Sequence, residues 1–78
     1  MSKDNGMVTI QINGPSYQIT KGNHSTEELK KLASVPLADD LDEIKNNKPH
    51  PLQDDGHTNI NGGEVFVSHP KGSGSSWE

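Results

Sequence analysis

The sequence contains no cysteine and no arginine. Without cysteine there is no disulfide framework, no thiolate zinc site, and no thiol nucleophile or thioester-forming residue on this chain. Without arginine, and with 11 acidic residues against seven lysines for a formal charge of −4, the basic face used to read phosphate and guanine is missing. Nucleic acid is therefore excluded as an expected partner. Aromatic residues are reduced to one Trp, one Tyr and one Phe, and apolar residues make up only 27% of the 78 positions. An ordinary soluble domain carries about 45–50% with glycine included, so a thin core is the most this chain can build. No apolar run approaches the ~20 residues that span a bilayer. The start MSKDNGM is too polar for a signal peptide, so no membrane contact and a cytoplasmic location are expected.

What is present is mostly period-2 patterning. In MVTIQIN, Val8, Ile10 and Ile12 alternate with Thr9 and Gln11, the pattern of a half-buried strand. NGPS supplies turn residues, and SYQIT returns with Tyr17 and Ile19 on one face, which predicts a hairpin. KGNHS interrupts the strand pattern. STEELKKLASV then reads as a helix, with Ser25 and Glu28 as a capping box, Leu29, Leu32 and Ala33 as an apolar stripe, and Pro36 as its stop. LDEI reads as a short strand, NNKPHP as a turn or loop, the region near Leu52 as a very short strand, and EVFVS as a final strand. This order predicts an α+β fold: a ubiquitin-like β-grasp with a mixed sheet of four to five strands and one helix packed across it. In that plan the first and last strands lie side by side and parallel. The expected organisation is a disordered N-terminus at 1–6, a domain at 7–69 and a flexible C-terminal tail at 70–78.

Few residues suit enzymatic chemistry, and no catalytic residue, cofactor or metal site is expected. His24, His50, His57 and His69 lie beside turn residues without metal-ligand spacing and read as exposed loop histidines. The acidic run Asp39, Asp40, Asp42 and Glu43 reads as a solvated edge that discourages strand pairing, or as a patch that steers a basic partner. NGG at 61–63 reads as a turn and not a phosphate loop, since a strand follows it. The end, PKGSGSSWE, is either a frayed terminus or a segment that a partner enzyme holds extended in a narrow channel. In such a channel glycines let the walls close on the backbone.

Together VTIQINGPSYQIT, KGNHSTEELKKL, VPLADDLDEI and NGGEVFVSHPKGSG resemble bacterial ubiquitin-like proteins encoded beside activating-enzyme, conjugating-enzyme and peptidase homologues. The resemblance covers roughly Met7 to Gly74 and rests on element order and on the glycine-bearing tail. It implies a modifier that is not itself an enzyme. Its partners would be an activating (adenylating) enzyme, a conjugating enzyme, a processing or deconjugating peptidase, and target proteins. Antiviral defence is what it implies for related operons. Carried over, Gly74 matches the terminal glycine, with Gly72 and Ser73 before it, and Ser75 begins a removable extension. Gly72-Ser73-Gly74 stands where the family usually has a glycine pair, and Lys71 is the only basic residue leading into it.

For partner binding, the resemblance points to the sheet face beside the last strand and to the root of the tail: Phe66, Ser68, His69, Pro70, Lys71 and Ser73. Alternation places Val65 and Val67 against the helix and leaves Phe66 as an exposed docking anchor. The opposite phase would put Phe66 in the core. Two other functions fit the same sequence: a β-grasp interaction module that is never conjugated, and a sulfur carrier.

Overall fold

The computed structural model describes residues 6–70. Strands β1 (Met7–Ile12) and β2 (Ser16–Thr20) form the expected antiparallel hairpin, with Val8 opposite Ile19 and Ile10 opposite Tyr17. After β3 (Gly22–Ser25) and α1 (Thr26–Leu32) come β4 (Asp40–Lys45), β5 (Lys48–Pro51), β6 (His57–Ile60) and β7 (Val65–His69). Five of these strands make one mixed sheet in the order β2-β1-β7-β4-β5, while β3 and β6 pair separately. At the centre, β1 runs parallel to β7, with Gln11 beside Val65 and Ile12 beside Phe66. The first and last strands thus form the middle of a small α+β fold with the β-grasp arrangement.

Helix α1 starts where the sequence places it. Ser25 has extended backbone and its Oγ accepts from the Glu28 amide at 3.0 Å. The Glu28 carboxylate does not return to the cap; it pairs instead with His24 Nδ1 at 2.9 Å. The helix also ends earlier than the apolar stripe suggests. Ser34 adopts φ 59°, its amide donates to Lys31 O, and the Val35 amide donates to Lys30 O at 2.7 Å. This pair of bonds is a Schellman closure. It turns buried Val35 back under the helix before Pro36 blocks further winding.

The core consists of Ile10, Ile12, Ile19, Leu29, Val35, Leu41, Ile60 and Phe66. Its single aromatic ring belongs to Phe66, which is completely buried. This overturns the expectation of Phe66 as an exposed docking anchor. The parallel register puts Phe66 in phase with Ile12, on the helix side, and leaves Val65 and Val67 half-buried on the other face.

Three strands differ from the sequence reading. GNHS, placed in a break, is β3, whose backbone pairs with β6 from Gly22 opposite Ile60 to Ser25 opposite His57. KPHP, expected within a turn or loop, is β5. Asn46 and Asn47, with φ 53° and 62°, close a two-residue hairpin that brings Lys48 opposite Lys45. As an edge strand β5 tolerates Pro49 and Pro51, whose missing N–H groups would break an interior ladder. The short strand expected near Leu52 lies further on, at β6.

The turn reading at 61–63 agrees with the structure. Gly62 sits at φ 113°, where an added Cβ would lie 3.2 Å from Val8 Cβ. The Glu64 carboxylate accepts from the amides of Asn61 and Gly62, both at 2.8 Å.

Candidate functional site

Strand β7 carries the chain to Pro70, and two side-chain contacts fix its last turn. The Ser68 amide donates to Asn13 Oδ1, and Asn13 Nδ2 donates to Ser68 Oγ, each at 2.9 Å. Asn13 adopts φ 59°, a conformation asparagine tolerates better than most residues, and its own amide donates to Phe66 O at 2.9 Å. One residue later, His69 Nε2 lies 3.1 Å from Asp42 Oδ2 on β4. The last strand is therefore held from both flanks just before the chain leaves the sheet.

Of the residues assigned to partner binding, Ser68 is half-buried and bonded to Asn13, while His69 and Pro70 are exposed. Phe66 belongs to the core. Lys71, Gly72, Ser73, Gly74 and Ser75 lie outside the described residues. The contacts by which Asn13 and Asp42 position the end of β7 escaped the sequence reading, which has Asn13 in a turn after a strand and Asp42 in an acidic run.

The sheet face away from α1 carries Asp42 and Ile44 from β4 and Val65, Val67 and His69 from β7. Register sets Asp42 beside Val67 and Ile44 beside Val65. Asp42 is buried, and its Oδ1 is the sole buried side-chain oxygen among the described residues without a hydrogen-bond partner. The acidic run is thus no solvated edge. Strand β4 lies between β7 and β5, and Asp42 and Glu43 are both buried, on opposite faces of the sheet.

The histidines are not uniformly exposed loop residues either. His24 is a buried residue of β3, with Nε2 2.6 Å from Thr20 O and Nδ1 2.9 Å from Glu28 Oε2. Both of these partners are pure acceptors, so both are satisfied only by the doubly protonated ring. Burial opposes the charge. The Thr20 carbonyl and the Glu28 carboxylate outweigh it together and raise the His24 pKa above its usual 6.5. His50 and His57 are exposed strand residues.

Among the described residues no group of three His, Asp or Glu side chains is placed to hold a metal ion. None of their helices is long and apolar enough to cross a membrane.

No family model, curated protein or solved structure matches this chain.

Proposed function

We propose that the chain is a ubiquitin-like protein modifier: a substrate of enzymes that is matured at Gly74, activated there and joined to target proteins. The observation that carries this reading is the parallel pairing of β1 with β7 at the centre of the sheet. It anchors the last strand on both flanks up to His69, directly before the Pro70-Lys71-Gly72-Ser73-Gly74 segment. A rigid platform that ends in a side-chain-poor segment suits an enzyme that must grip the platform and thread the terminus into a narrow site.

In this scheme a peptidase hydrolyses the Gly74–Ser75 bond and frees the Gly74 carboxylate. That carboxylate attacks the α-phosphate of ATP in the activating enzyme, giving an acyl-adenylate and releasing pyrophosphate. A nucleophile on a partner enzyme displaces AMP, and an amine of the target then takes the acyl group and regenerates the partner. The chain supplies no catalytic group. Val65, Val67 and Ile44, with His69 at their border, are the docking surface on the sheet, in place of Phe66.

The test is incubation with a candidate adenylating enzyme, its conjugating partner and ATP, followed by denaturing electrophoresis and intact-mass measurement. Covalent adducts should form with the chain ending at Gly74 and vanish in Gly72→Ala/Gly74→Ala. Adducts that persist in this double variant would refute the assignment of the tail.

A further inference from the structure

Glu43 is the least self-sufficient charged group among the described residues. Its side chain is nine-tenths buried on the helix side of the sheet. Yet among the described residues the only partner of its carboxylate is the Lys45 ammonium, 3.9 Å away and well exposed, beyond hydrogen-bonding distance. Removing a carboxylate from water is costly unless hydrogen bonds replace the lost hydration. Every other buried ionisable side chain here has at least one such bond: His24 to Thr20 and Glu28, Lys30 to Leu37 O and Asp54, Asp42 to His69.

Glu43 borders a cleft of about 480 Å³. That volume lies within the ~300–1,000 Å³ typical of small-ligand sites. The rest of the wall is polar apart from Leu52: Lys45 from β4, His57, Thr58 and Asn59 from β6, and Asn61 and Glu64 from the turn before β7. The Glu43 oxygens are not sealed from this space, since Asp42 Oδ1 is the sole described side-chain oxygen both sealed and unpartnered. The Glu64 carboxylate is turned to the Asn61 and Gly62 amides and leaves its negative charge beside the cleft. The wall therefore offers a carboxylate without a hydrogen bond, a second negative charge, and hydroxyl and amide oxygens, against one exposed ammonium. This set of acceptors calls for a ligand that is positively charged and rich in N–H groups.

We propose that this cleft binds an organic cation, a guanidinium or alkylammonium group seated on the Glu43 carboxylate. A metal ion fits less well, because no three His, Asp or Glu side chains among the described residues converge on one point. A guanidinium carries five N–H donors in a plane, enough to engage Glu43 and the Thr58 and asparagine oxygens together. Lys45 is the internal competitor, close enough to screen the Glu43 charge and exposed enough to swing away. Cation binding at this cleft does not depend on the modifier reading.

The test is an amide-resolved NMR titration of the full chain with agmatine, and with N-acetyl-arginine amide, at ionic strength matched by sodium chloride. Saturable shifts should be confined to the amides around Glu43, Thr58, Asn59 and Asn61. Glu43→Gln, which keeps shape and loses charge, should weaken binding at least tenfold while its spectrum remains that of the folded protein. Lys45→Met should tighten binding severalfold. Shifts with both probes identify a basic side chain as an admissible ligand, and shifts with agmatine alone restrict the site to free cations. The absence of saturable shifts with either probe, or equal affinity in Glu43→Gln, overturns the proposal.

Discussion

Asn13 and Ser68, 55 positions apart, form a reciprocal pair in which one side-chain amide both accepts from the Ser68 backbone N–H and donates to its hydroxyl. The parallel ladder between β1 and β7 ends with backbone pairing at Ile12 and Phe66. Beyond that point the β1 backbone turns away through Asn13, and its side chain supplies the next rung. The pair therefore extends the central ladder by one step, up to the position from which the chain departs.

Replacing Asn13 tests this rung. Asn13→Gly keeps the positive φ available and removes only the side-chain bonds. It should lower stability by about 1 kcal/mol, the usual net worth of such bonds at an accessible site. The Ser68 amide should lose hydrogen-exchange protection while the Phe66 amide keeps it. Asn13→Ala should cost more, because alanine adds backbone strain at φ 59°.

His24 predicts a pH dependence. Its pKa in the fold is raised, so the folded state holds the proton more tightly than the unfolded chain. The stabilisation is complete below the unfolded value of about 6.5 and disappears as pH rises through the higher folded value. Tm should fall between pH 6 and pH 8, and His24→Gln should flatten that slope. A wild-type Tm that rises over this interval would contradict the doubly protonated ring.

Lys30 is a lysine without access to solvent. Its side chain is 2% exposed, and its ammonium donates to Leu37 O at 3.1 Å and to Asp54 Oδ1 at 3.0 Å. Amine-reactive esters should modify Lys31 and Lys45 readily, since both are well exposed. Lys30 should remain unmodified until the protein is denatured, as peptide mapping of briefly labelled protein would show. Lys30→Met keeps the apolar stem and should cost less stability than Lys30→Ala, which leaves a cavity.

Phe66 supplies the one aromatic ring of the core. Phe66→Ala should cost about 3–5 kcal/mol. For a domain this small that approaches the entire stability, so the cooperative thermal transition should vanish from calorimetry. Val67→Ser on the opposite face should leave a cooperative transition at lower temperature. Equal effects of the two substitutions would contradict the phase of β7.

The hairpin β1–β2, the helix start and β7 were legible because each carries its own signal: apolar alternation, a capping serine, or β-branched residues between turns. Strands β3, β5 and β6 carry none. GNHS and KPHP are polar or proline-bearing, and their pairing comes from partners distant in the chain or from a two-asparagine turn. The phase of β7 was misread because two valines outnumbered one phenylalanine in the alternation. The register with β1 decides the matter, and register is a property of two strands together. Asp42 and Glu43 looked solvated because charge predicts exposure unless a strand is known to be interior. The end of the last strand near His69 was legible, whereas the Asn13 and Asp42 contacts that hold it were not.

The central pairing of the first and last strands also sets the order of events during synthesis. The middle of the sheet stays vacant until residues 65–69 leave the ribosome, because β1 and β4 both need β7 as their neighbour. A nascent chain that already displays the β1–β2 hairpin, α1 and the β4–β5 hairpin therefore presents two unpaired strand edges, of the kind that aggregation and chaperones recognise. Arrival of one five-residue strand, VFVSH, closes both edges and buries the aromatic ring in a single step.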